Sequence, residues 1–206
     1  FKFFYKKIAS NSNKFNSISV EWKESFKGIL GAHPWLRNEF HSYLGSIDEG
    51  GGSLQEHSHG LHLLNIILKI KKIKINNLDF KKNLIFKKHK KKKYDCFCNL
   101  ATIHKNLFIK FETDLVTWPA QKIVKIFGDN YSIEWECNYK KNIDRVKENI
   151  NGKYKSFYFT KTRSQEFENE LQYILNLSTS MYNRSFLNLY NALEVKDCFT
   201  KILNEK

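Results

Sequence analysis

Apolar residues recur at helical spacing early in the chain. In SVEWKESFKGILGAHPWLRNEFHSYLG, Trp22, Phe26, Ile29 and Leu30 share one face, with Ser19 placed to cap the start and Gly31 to end it. Pro34 then suits a first helical position, and Leu36, Phe40, Tyr43 and Leu44 form a second stripe closed by Gly45. The spacing predicts a helical hairpin over residues 19–45. The glycine-rich run that follows, with Gly50, Gly51, Gly52 and Ser53, reads as a flexible joint. Leu61 to Ile70 fits a helix, whereas KIKKIKINNLDF and NLIF alternate like strands. From Tyr94 the alternation is that of β-structure. YDCFCNLATI pairs with NLFIKFETDLV across a turn near Asn106, QKIVKIF pairs with YSIEWEC across a turn near Asp129, and KYKSFYFT adds a further strand. Near the C-terminus Ser164 is placed to cap a helix with Glu166 in its first turn. Its stripe is Phe167, Leu171, Ile174 and Leu175, continued by Met181, Phe186, Leu187, Tyr190 and Leu193 after a break at Ser178 to Ser180.

The expected fold class is therefore α+β: an N-terminal helical hairpin, a small antiparallel β meander or partly open barrel, and C-terminal helices. The corresponding segments are a basic tail over 1–18, the hairpin over 19–45, a glycine-rich joint and lysine-rich segment over 46–93, the β unit over 94–160, and C-terminal helices over 161–206.

With 206 residues, 41% of them hydrophobic and 15% aromatic, the chain can bury a core and is not a disordered segment. Its formal charge of +14 is unevenly placed. Residues 69–93 hold twelve lysines against the single acid Asp79, and residues 1–18 hold four lysines and no acid. The remainder, nineteen basic against twenty acidic residues, is nearly neutral. Segregated lysine points to a polyanionic partner. The candidate RNA-binding residues are Lys69, Lys71, Lys72, Lys74, Lys81, Lys82, Lys87, Lys88, Lys90, Lys91, Lys92 and Lys93, with Tyr94 placed to stack on an unpaired base.

The histidines of EHSHGLH, His57, His59 and His62, follow neither a helical i, i+4 metal pair nor a spaced zinc pattern. Cys96 and Cys98 alternate with Phe97; a zinc site would need two more ligands, with Cys137 the one nearby candidate in the β unit, and the paired C-x-x-C arrangement is absent, so they read as small buried hydrophobes. No glycine-rich phosphate loop precedes a Lys-Ser/Thr pair. These patterns nominate no catalytic residue, no metal and no cofactor. The chain also lacks an apolar run long enough for a membrane span.

The segment DLVTWPAQKIVKIFGDNYSIEW resembles the PWWP and Tudor group of small methyl-lysine reader barrels through Trp118-Pro119-Ala120 and KIFGDNYSI. That resemblance implies an aromatic cage near Trp118 and Tyr131. The expected function is a non-enzymatic, RNA-binding structural subunit of a large ribonucleoprotein, an organellar ribosome above all. Its partners would be ribosomal RNA and neighbouring proteins of the assembly. A chromatin-type reader module and an accessory subunit of a membrane-associated complex are the alternatives. FKFFYKKIASNSNKFNSIS, basic and without an acid before Glu21, has the character of an organellar targeting segment, giving a mitochondrial location with the nucleus as alternative.

Overall fold

The computed structural model describes residues 2–176 and 188–204. Its elements run α1 (Lys2–Ser10), β1 (Ser17–Lys23), α2 (Phe26–Ala32), α3 (Ser53–Glu56) and α4 (Ser58–Ile70), followed by an unbroken series of strands. These are β2 (Lys81–His89), β3 (Lys92–His104), β4 (Leu107–Asp114), β5 (Gln121–Gly128), β6 (Tyr131–Lys140), β7 (Ile143–Ile150) and β8 (Lys153–Thr160). The helices α5 (Arg163–Leu175) and α6 (Leu189–Asn204) close the chain.

All eight strands form one sheet in the order β2-β3-β4-β1-β5-β6-β7-β8. Only β1 and β4 run parallel; the other neighbours are antiparallel. This corrects the expectation of a helical hairpin followed by a small meander or barrel. SISVEWK is strand because Ile18, Val20 and Trp22 alternate with Ser17, Ser19, Glu21 and Lys23, a period-two pattern rich in β-branched residues. Trp22 also satisfies a helical stripe, which is how the two readings compete. Of the expected hairpin only α2 is α-helix. The second stripe breaks into single 3-10 turns at Glu39–His41 and Tyr43–Gly45, held by the side chains of Asn38 and Ser42 accepting from nearby backbone N–H groups, and a third follows at Ile47–Glu49. The lysine-rich stretch supplies β2 and the start of β3 rather than an insertion.

Alternation sorts the sheet into two faces. Ile18, Val20, Leu100, Ile109, Phe111, Val124, Ile126, Ile133 and Val146 are buried on one of them, together with Leu61, Leu64, Ile67 and Leu68 of α4 and Val195, Cys198 and Ile202 of α6. Phe4 of α1 joins this core against Trp135, with ring centres 5.9 Å apart. A smaller cluster of Phe26, Ile29, Leu44, Tyr94, Cys96 and Leu115 seats the 26–50 excursion beside it. The opposite face carries ion pairs, within β4 for Lys110–Glu112 (2.7 Å) and across strands for Lys23 with Glu112, Lys125–Glu21 (3.5 Å), Lys147–Glu134 (3.3 Å) and Arg145–Glu136 (2.5 Å). Burial pushes Glu112 upward, but the hydrogen bonds from Lys110 and Lys23 outweigh it and hold this carboxyl at about 2.

The C-terminal helix α5 is capped by Thr162, whose hydroxyl accepts from the Gln165 N–H, two residues before the expected Ser164. Met181, Phe186, Leu187 and the break expected at Ser178 to Ser180 lie outside the described residues.

Candidate functional site

The glycine run is a packed turn and not a joint. A side chain at Gly51 would overlap the backbone oxygens of Tyr43 and Leu44, and one at Gly52 (φ +94°) would overlap Oδ1 of Asp95. Both positions therefore require glycine. Asp95, fully buried on β3, reaches the start of α3 through this gap: its Oδ2 accepts from Ser53 Oγ at 2.6 Å and from the Leu54 N–H at 2.9 Å. Its Oδ1 is buried without a hydrogen-bond partner. Burial raises the carboxyl, against the hydrogen bonds from Ser53 and Leu54, to about 6.

The anchored turn aims α3 at one end of the sheet. There a cleft of about 610 Å³ is lined by Glu24 after β1, Ile29 and His33 of the 26–33 segment, Glu56 of α3, and Lys122 of β5. Asn138, Asn142, Lys161 and two α5 residues, Phe167 and Glu170, complete the wall. Lys122 pairs with Glu24 at 2.9 Å, and Glu56 accepts from the Tyr43 hydroxyl at 3.0 Å. Burial, then the nearby Glu56 charge, pushes the Tyr43 hydroxyl up. His57 sits behind this wall, buried, with Nε2 at 3.3 Å from the Glu24 carbonyl oxygen. Burial lowers its imidazole, against that hydrogen bond, so it stays neutral at pH 7. Ammonium groups, carboxylates and amides thus converge on an open space, a set that exchanges hydrogen bonds with a hydroxyl-rich ligand.

The residues nominated from sequence are elsewhere. Lys69 pairs with Glu194 at 2.5 Å, Lys71 donates to the Ser12 carbonyl at 2.6 Å, and Lys72 occupies a turn at φ +58°. Lys74 lies near Glu194, and Lys82 donates to the Ile202 carbonyl at 2.8 Å. Lys81, Lys87, Lys88, Lys90 and Lys91 are exposed along β2 and its turn, as is Lys93 at the start of β3, over the Phe86 ring at 3.9 Å. Lys92 pairs with Glu49 at 3.1 Å. Tyr94 is fully buried between Phe26 and Phe40, with its hydroxyl 3.5 Å from Glu39, so it cannot stack on a base. The reader cage does not form either: Tyr131 is buried opposite Gly128 at one end of the β5–β6 pair, while Trp118 precedes the other end and is 57% exposed. Among the described residues no group of three or more His, Cys, Asp or Glu side chains is gathered as metal ligands.

The sequence matches no protein-family model and no curated protein. Solved structures do match. UDP-N-acetylglucosamine 3-dehydrogenase GnnA from Acidithiobacillus ferrooxidans superposes with a TM-score of 0.63 at 10% identity, over 96% of this chain and 56% of its own. The 3-ketoreductase KijD10 from Actinomadura kijaniata, solved with NADP and TDP-benzene, gives 0.60 at 9% identity over 94% and 55%. A dehydrogenase (MviM) from Clostridium difficile gives 0.56 at 13% identity over 98% and 58%. The fold is shared with dehydrogenases. This likeness overturns the reading as a non-enzymatic ribosomal protein with an RNA partner, and gives no support to a chromatin reader or a membrane-complex subunit. The chain spans little more than half the length of these neighbours.

Does the chain fit the dinucleotide such enzymes use? A doubly wound dinucleotide domain has a parallel sheet and a glycine-rich turn after a strand, whose helix N-terminus binds pyrophosphate. Here one strand pair is parallel, and the glycine run follows a 3-10 turn. The donors at the start of α3 are already taken by the Asp95 carboxylate, which would repel a pyrophosphate. The glycine turn before α3 does not fit a dinucleotide pyrophosphate.

Sequence reasoning missed Glu24, His33, Glu56, Lys122, Asn138, Asn142 and Lys161. One signal was available: three consecutive glycines directly before a cappable helix start mark a close backbone approach as readily as a flexible linker.

Proposed function

We propose that this chain provides the substrate-facing half of an NAD(P)-dependent oxidoreductase, with the 24–56–122 cleft as the wall that holds a hydroxyl-rich substrate of the sugar-nucleotide class. The observation that carries the reading is the position of the cleft at the carboxyl end of β1, in a fold shared with dehydrogenases. Ligands of open sheets that contain parallel strands favour this location. Lys122, Lys161, Asn138 and Asn142 would donate to substrate oxygens, Glu24 and Glu56 would accept from hydroxyls, and Phe167 would cover an apolar ring face. The dinucleotide would not be held by the turn at Gly50–Leu54.

The test is amide chemical-shift mapping of the 206-residue chain with UDP-N-acetylglucosamine and, separately, NADPH. The sugar nucleotide should perturb Glu24, His33, Glu56 and Lys122 saturably, and Lys122→Ala should weaken it. Saturable NADPH shifts centred on Gly51 to Leu54 would overturn the assignment.

A further inference from the structure

We propose that the free edge of β2 and its lysine-bearing turn receive an extended acidic segment of a protein partner, added to the sheet as an outer strand. Among the described residues β2 ends the strand order and pairs only with β3, which leaves its outer row of backbone N–H and C=O groups for strand addition. Ile85 is 57% exposed on this strand and offers an apolar contact for alternate side chains. The charge identifies the partner's chemistry. On the face of the sheet, Lys23, Lys110, Lys125, Lys147 and Arg145 each meet a glutamate. On β2 and its turn, Lys87, Lys88, Lys90 and Lys91 are exposed, as is Lys93 at the start of β3, and the nearby carboxylate Glu49 already pairs with Lys92.

Edge lysines and the register shift between Ile85 and Phe86 also serve as a guard against unwanted strand pairing. A guard repels neutral and basic strands by leaving lysines unneutralised, but glutamates on the incoming strand remove that penalty. Lys90 and Lys91 lie in the turn, beyond the paired residues, where guarding the ladder does not need them. Lysine as a point charge suits flexible carboxylates on an extended peptide.

The probe is a fluorescein-labelled eight-residue peptide alternating glutamate and valine, followed by anisotropy with the full chain at low and high salt. Two comparators accompany it: the same peptide with two central valines changed to proline, and an oligouridylate of equal charge. The alternating peptide should bind, weaken with salt, and protect β2 amides from hydrogen exchange. Proline removes two ladder donors, so that peptide should bind about tenfold more weakly. The combined variant Lys87→Gln, Lys88→Gln, Lys90→Gln, Lys91→Gln should lose peptide affinity at an unchanged melting temperature. Equal binding of the proline peptide, tighter binding of oligouridylate, or absence of β2 protection would each overturn strand addition.

Discussion

Replacing Asp95 by asparagine should change how stability depends on pH more than how stable the protein is at any one pH. The folded carboxyl titrates near 6 against 3.8 for an unperturbed aspartate. The folded state therefore holds a proton that the unfolded state has released between those values, and stability falls as pH rises from about 4 to 6. The gap between 3.8 and about 6 corresponds to about 3 kcal/mol for this buried group. Asparagine keeps an acceptor for Ser53 Oγ and the Leu54 N–H but turns an amide N–H₂ toward Gly52, where Oδ1 now lacks a partner. That misplaced donor costs about 1–3 kcal/mol at all pH values. Wild type alone would mislead, because buried His57 has a lowered pKa and contributes the opposite slope, gaining stability as pH rises through the imidazole range. Glu112 loses its contribution only as pH falls from 4.5 toward 2. The difference between variant and wild type cancels both. Urea unfolding at closely spaced pH values from about 4 to 7.5 should show Asp95→Asn improving relative to wild type by about 2.5 kcal/mol across the range. A difference constant to within about 0.5 kcal/mol would refute the assignment of Asp95 as the titrating group.

Two further outcomes follow from burial and charge. Trp135, 7% exposed and donating from Nε1 to Asp144 at 3.2 Å, should cost about 3–5 kcal/mol on change to alanine. Trp118→Ala, an exposed site whose ring lies under Lys27, should cost no more than about 1 kcal/mol; similar losses for the two in urea would contradict their placement. The Glu112 side-chain carboxyl should titrate near 2 by carbon-detected NMR and move upward in 1 M salt as its lysines are screened; a midpoint near 4.5 at low salt would remove the ion-pair array from the outer face.

Local alternation was legible where it was uninterrupted. The hairpins turn at Lys105-Asn106 and Asp129-Asn130, where the sequence places them, because each pairs neighbouring segments through a short polar link. The sheet as a whole was not legible. Which strand lies beside β1 depends on partners about 90 to 110 residues away, and no local signal in SISVEWK says that it will pair with both β4 and β5. Residues 36–45 carry apolar spacing suited to a helix, yet Asn38 and Ser42 bind their own backbone and break it into turns. The cleft shared this fate: Glu24, Glu56 and Lys122 are distant in sequence and meet only because β1 and β5 pair and α3 is anchored by Asp95. The lysine count was visible, but not that Lys69, Lys71, Lys82 and Lys92 are occupied by partners within the chain.

The place of β1 in the sheet has a consequence for how the molecule can be cut and reassembled. β2, β3 and β4 form one consecutive antiparallel ribbon, β5 to β8 another, and among the described residues the strand Ser17–Lys23 is the seam that joins them in the sheet. Without that seam Val124 and Phe111 would each lose the neighbour Val20, and both ribbons would present a bare, hydrophobic inner edge. A chain shortened past residue 23 would then expose two strand-hungry edges, and a separate peptide carrying SISVEWK could restore it by slotting between them, as one strand donated to complete another's sheet.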